Sequence, residues 1–227
     1  MLILGIDTSC ASAGVALIRD DAVIGRVAQV DKRTHSVKLL PEIQALVDSN
    51  ALAPSMLELI AVTAGPGSFT GLRIGASTAK TMARALGIPV IGVNTLDALC
   101  ASENAVSNSE LPVLALVDAR NTRAYGCLYV KRAPAGAPAV DKTDVLIDSI
   151  PRQFEGSAIR VCGDALNNKG ITEIIAAEKR FSFKTDGGVT YPDPAVVAAL
   201  GRELFEGAED KSVFAPEKLA LNYMKEW

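Results

Sequence analysis

Twice in this sequence an aspartate closes an apolar run. In residues 2–9 (LILGIDTS), Asp7 is followed at once by Thr8 and Ser9. A carboxylate placed there can hold a hydrated metal ion while the N–H groups of the turn face a phosphate, although a plain polar turn has the same pattern. Residues 113–117 lead into Asp118 in the same way. Between the two lies residues 65–73 (GPGSFTGLR), where a strand-like run passes into a helix. Its glycines permit positive φ, and the amides near Gly67 and Ser68 could take an anion with Arg73 close by. The segment is not a P-loop, which continues Gly-Lys-Ser/Thr where this chain has Gly71, Leu72 and Arg73. A structural turn with tight helix-to-sheet packing explains the glycines equally well.

Other chemistries are poorly supplied. His35 is the single histidine, so neither a paired-histidine metal site nor an H-E-x-x-H zinc helix can be assembled. Cys10, Cys100, Cys127 and Cys162 lack C-x-x-C spacing and read as small buried hydrophobes. A hydrolase triad would have to recruit His35, and neither Ser9 nor Ser68 has nucleophile-elbow spacing. Gly163-Asp164 could contact a nucleoside or simply turn a strand into a helix.

The elements that position these residues follow from pattern. Residues 2–6, 13–19 and 22–30 are strand-like and joined by tight turns, which predicts a meander. From 35 to 49, Leu39, Leu40, Ile43, Leu46 and Val47 keep the helical period, with Pro41 expected to kink it or remove a hydrogen bond. A strand over 57–64 enters the glycine-rich loop, a helix spans 71–86 until Gly87 and Pro89 end it, and a strand follows over 89–93. Within that helix Gly71, Gly75, Ala79 and Ala83 form a small-residue stripe that would let another helix approach closely. Burial against the protein's own sheet is the alternative. Arg73, Ser77, Lys80 and Arg84 make a basic row beside it, as a solvated face would.

A short helix over 96–102 and a polar linker over 103–110 come next. Then the order restarts: 113–117 with Asp118 matches 2–6 with Asp7, and 124–130 matches the second strand, so an internal duplication is predicted. Residues 133–141 read as a loop, 159–162 as a strand and 194–205 as an amphipathic helix, while 214–227 carry no clear pattern. The 227 residues, 49% hydrophobic and 22% charged, suffice for one large domain or two small ones and exclude general disorder. No stretch nears the roughly 20 apolar residues of a membrane span, and no basic leader precedes the first apolar run, so a cytoplasmic protein with no membrane contact is expected. A net charge of −3 offers nucleic acid no long-range attraction.

Three segments together, LGIDTS at 4–9, HSVKLLPEI at 35–43 and GPGSFTGLRIG at 65–75, resemble the TsaB (YeaZ) family, with a weaker likeness through LVDARNTRAY at 116–125. The resemblance implies an α/β fold of the actin/sugar-kinase/Hsp70-like (ASKHA) type, with two duplicated lobes, each a mixed sheet with flanking helices. The lobes are expected at residues 1–103 and 104–227, with the last helix able to pack back on the first lobe. It also implies a non-catalytic subunit that binds and activates TsaD, the subunit making threonylcarbamoyladenosine in tRNA. The same resemblance implies TsaE in a larger complex, a homodimer when the chain is alone, and tRNA reached only through the complex. Pairing would use the helices carrying His35, Leu39, Leu40 and Ile43, and Gly71, Leu72, Gly75, Ala79, Met82 and Ala83. No cofactor of its own is implied, with ATP or ADP placed at the complex interface. Asp7, Thr8, Ser9, Gly67, Ser68, Arg73 and Asp118 remain candidates for anion or nucleotide contact. The chain departs from the family at 221–225 (LNYMK), where a Pro-x-Tyr-Leu-Arg-like segment is usual. The competing functions are an independent ATP-dependent phosphotransferase of the same fold and, behind it, a protease.

Overall fold

The computed structural model describes residues 1–30, 35–107, 109–185, 187–188 and 191–224, and the side chains of 29–30 and 35–37 lie outside that description. The chain opens with strands β1 (Leu2–Asp7), β2 (Ser12–Arg19) and β3 (Ala22–Val30), paired antiparallel as a meander because the connections are too short to cross over. Asp20, at φ 53°, makes the second turn. Helix α1 (His35–Ser49) runs through Pro41, forgoing the one backbone bond that proline cannot donate. Strand β4 (Leu59–Gly65), helix α2 (Phe69–Leu86) and strand β5 (Val90–Asn94) follow, and the two strands join β1 in parallel. The sheet order is β3-β2-β1-β4-β5.

Strand alternation sends successive side chains to opposite faces, and each face has its own cover. Leu2, Leu4 and Ile6 of β1 pack with Leu39, Ile43, Leu46 and Val47 of α1 and with Ala79 and Ala83 of α2. Ile3 and its neighbours Ala16, Ile18, Ala61 and Ile91 meet Ala195, Val197 and Ala198 of α6 (Pro194–Gly207) instead. That helix sits very close. A Cβ on Gly5 would lie 2.0 Å from the Pro194 carbonyl oxygen, and one on Gly201 would lie 2.4 Å from the Ala61 Cβ. The first compact unit therefore contains Met1–Ala98 together with Asp193–Tyr223.

The second unit is built from Leu99–Pro192. Strands β6 (Val113–Asp118) and β7 (Arg123–Val130) form an antiparallel pair, β10 (Ala158–Cys162) and β11 (Ser182–Lys184) add in parallel, and β8 (Ala133–Pro134) and β9 (Ala139–Lys142) lie on β7. Its order, β11-β10-β6-β7-β8, repeats the first sheet, so the duplication inferred from the two strand-aspartate patterns is a property of the topology. Helices α4 (Thr143–Asp148) and α5 (Lys169–Ala177) cover one face through Leu146, Ile147, Ile171 and Ile175.

Three expectations are corrected. The polar stretch 103–110 is no linker at its start, because α3 (Thr95–Ser107) runs on through it. Glu103 is fully buried there, its Oε1 held 2.5 Å from the Arg160 Nε, so a charge that reads as solvated in sequence is internal. Helix α2 begins at Phe69, two residues before Gly71, because the Ser68 hydroxyl accepts from the Gly71 amide and caps it. Residues 133–141, read as loop, carry β8 and the start of β9 on β7.

Candidate functional site

Asp7 ends β1 and is 1% exposed. Its Oδ1 accepts from the Ser9 hydroxyl at 2.6 Å, the Thr63 hydroxyl at 2.8 Å and the Ser9 amide at 3.1 Å. Buried carboxylates persist when hydrogen bonds of this kind replace water, and here the donors come from the turn itself and from the neighbouring strand. Thr8 continues the lock: its hydroxyl donates to the Gly71 carbonyl at 2.8 Å, tying the end of β1 to the start of α2.

The glycine-rich loop closes over this turn. The Ser68 amide donates to the Ser9 carbonyl at 2.7 Å, and the Leu72 amide to the Ser68 carbonyl at 2.8 Å. A Cβ on Gly67 would lie 2.3 Å from the Ser9 carbonyl oxygen, and one on Gly71 would lie 2.0 Å from the Thr8 carbonyl oxygen. Gly65 precedes a cis Pro66 and has φ 109°, a conformation that favours glycine. The glycines thus admit the protein's own backbone. In this arrangement the Asp7 Oδ1, the Ser9 hydroxyl and the Ser68 amide are engaged within the turn and the loop. Arg73 is exposed, its guanidinium carbon 3.7 Å from the Phe69 ring centroid and its Nε donating to the Tyr223 hydroxyl at 3.1 Å.

Asp118 is the counterpart in the second unit. Its carboxylate accepts from the Arg120 amide at 2.7 Å, and its own amide donates to Asp164 at 2.8 Å. Gly163, at φ 112°, is needed because a Cβ there would lie 2.0 Å from the Leu116 carbonyl oxygen. Gly163-Asp164 therefore pins the end of β6. Among the described residues no group of three or more His, Cys, Asp or Glu side chains comes together to hold a metal ion.

The small-residue stripe runs along the inner side of α2. Gly71, Gly75, Ala79 and Ala83 face the protein's own sheet: Ala79 and Ala83 are fully buried, and a Gly75 Cβ would lie 2.3 Å from the Thr8 hydroxyl oxygen. Its small side chains let α2 lie against the turn after β1 and against β4. Leu39, Ile43 and Leu72 are equally internal. Of the residues expected to meet a partner, Leu40 stands 56% exposed and Met82 is half-buried, while the His35 side chain lies outside the described residues. Pattern reading missed Thr63, Phe69 and Tyr223. Only Phe69 had a local signal, its spacing of four from Arg73 on a helix.

A pair of sheets, each with an antiparallel hairpin, added parallel strands and an aspartate at the end of its first strand, defines the ASKHA class of α/β proteins. Solved structures agree. YeaZ from Pseudomonas aeruginosa superposes with a TM-score of 0.78 at 25% identity, over 98% of this chain and 99% of that one. A candidate N-acetylmannosamine kinase from Listeria monocytogenes, Lmo2764, shares the fold alone, with a TM-score of 0.51 at 12% identity over 92% of this chain and 100% of that one. The family model for TsaD, tRNA N6-adenosine threonylcarbamoyltransferase, matches residues 22–198. A Bacillus subtilis relative, tRNA threonylcarbamoyladenosine biosynthesis protein TsaB, is 32% identical over 97% of this chain and 95% of its own length. The chain belongs to the TsaB (YeaZ) family.

Proposed function

We propose that this chain is a non-catalytic subunit that binds and activates a TsaD-type transferase during threonylcarbamoyladenosine formation in tRNA. The observation that carries the reading is an uncovered apolar surface outside a closed strand-end turn. Helices α1 and α2 cover the same face of the first sheet, so their outer sides point the same way. That outer side exposes Leu40 by 56% and Phe69 by 38%. Large apolar side chains that stay partly exposed on adjacent helices suit a protein partner. Meanwhile Asp7 and Ser68, the groups a phosphotransferase would turn toward phosphate, are bound to Ser9 and Thr63. The remaining assignments follow from the family: TsaE joins a larger complex, ATP or ADP binds at the complex interface, tRNA is met through the complex, a homodimer forms without TsaD, and the setting is the cytoplasm.

The test mixes the purified chain with a TsaD-type subunit and measures complex mass and adenosine modification. Leu40→Glu is expected to weaken association by about tenfold or more, with the fold unchanged. Mg-dependent ATP turnover by the isolated chain, lost in Asp7→Ala, would replace the proposal with the phosphotransferase reading.

A further inference from the structure

Residues 219–223 return across the first unit at the glycine-rich loop and are anchored at both ends. The Asn222 amide donates to the Ala64 carbonyl at 2.7 Å, and the Lys80 ammonium to the Leu219 carbonyl at 3.1 Å. Leu219 fills the space left by Gly92, where a Cβ would lie 2.9 Å from its Cδ1, and the Asn222 carbonyl oxygen would lie 2.1 Å from a Cβ on Gly65. This anchoring delivers Tyr223 to the first turn of α2. Its ring centroid is 5.2 Å from that of Phe69 at a tilt of 38°, and its hydroxyl accepts from the Arg73 Nε at 3.1 Å. The Arg73 guanidinium carbon lies 3.7 Å from the Phe69 centroid and 5.8 Å from the Tyr223 centroid.

We propose that Tyr223 is a positioning residue of the partner-facing surface: it holds Phe69 and Arg73 in one preset arrangement for a TsaD-type subunit to meet. The inference rests on the partner-subunit reading above. A half-exposed phenylalanine and an exposed arginine would otherwise sample several rotamers, and freezing them at association costs affinity. Aromatic and arginine side chains are also the residue types that anchor interfaces, and here the anchor is assembled from segments 150 residues apart.

Isothermal titration of a TsaD-type subunit with the full chain tests it, alongside thermal unfolding of each variant. Tyr223→Ala is expected to raise Kd about tenfold while the unfolding temperature holds. Tyr223→Phe keeps the ring against Phe69 and loses only the bond from Arg73, so Kd should stay within about threefold. If Tyr223→Ala binds like the wild type while Leu40→Glu does not bind, the positioning role is wrong and the partner reading stands. If the wild-type chain itself does not bind, the partner reading falls and takes this inference with it. Should Tyr223→Ala lower the unfolding temperature, Arg73→Lys replaces it, keeping the charge and removing the planar stack. The same tenfold loss is then expected, and unchanged affinity overturns the proposal.

Discussion

Gly75→Ala is expected to destabilise the protein, and Thr8→Ala is expected to abolish that effect. A methyl group on Gly75 would lie 2.3 Å from the Thr8 hydroxyl oxygen, which itself donates to the Gly71 carbonyl. The clash costs about 1–3 kcal/mol as overpacking. Displacing the hydroxyl adds about 1 kcal/mol for a lost internal hydrogen bond. Against this, alanine is about 1 kcal/mol better than glycine inside a helix. The net is a loss of about 1–3 kcal/mol, or roughly 2–12 °C in melting temperature if each kcal/mol is worth about 2–4 °C for a chain of this size. In the Thr8→Ala background the nearest atoms are the residue 8 Cβ at 3.5 Å, an ordinary contact, and the Val62 Cγ2 at 3.3 Å, which has to give by a few tenths of an ångström. There the helix preference wins and Gly75→Ala becomes neutral or stabilises by up to about 1 kcal/mol. Urea denaturation of the four proteins, followed by circular dichroism, measures the coupling. Additivity within about 0.5 kcal/mol would refute the reasoning. A stripe built for a partner helix would give the opposite pattern, with stability untouched and only association changed.

Two further outcomes are expected. All four cysteines are buried and none forms a disulfide, and burial pushes the Cys162 thiol well above its ordinary value, so native protein should react with a thiol reagent far more slowly than urea-unfolded protein. Rapid labelling of four thiols in the native state would contradict this burial. The hydrogen bonds from Arg180 hold the Glu178 carboxyl down to about 2, so its contribution is present above the unfolded value near 4.5 and is lost as pH falls toward 2. Glu178→Gln should therefore show a smaller drop in urea midpoint between pH 7 and pH 3 than the wild type, and an equal drop would remove the assignment.

Much of the first sheet was legible because its signals are local. Strand-like runs separated by tight turns marked β1 to β3, and Gly87 with Pro89 marked the end of α2, where the observed cap at φ 69° donates its N–H to the Ala83 carbonyl. What sequence could not supply was the identity of the neighbour. A row of Gly71, Gly75, Ala79 and Ala83 states that something comes close, and a β-strand edge and a partner helix demand the same small side chains. The neighbour is Thr8, more than sixty residues away in the chain. Glu103 shows the same limit: its polarity argued for water, and the arrival of Arg160 from across the second unit helps make its burial tolerable. Tyr223 sits in a segment with no periodicity, so its contact with Arg73 has no precursor in pattern. Asp7 was found from sequence as a chemical group and is found in the structure as a satisfied one.

Helix α6 covers the Ile3 face of the first sheet, yet it is encoded after nearly the whole second unit. During synthesis the five strands of that sheet are complete by Asn94, while α6 starts at Pro194. At typical elongation rates the interval is on the order of ten seconds. For that time Ile3, Ala16, Ile18 and Ile91 form an uncovered apolar face on a nascent chain. The protein's first unit is thus finished last, its apolar face closed only when its own helix emerges.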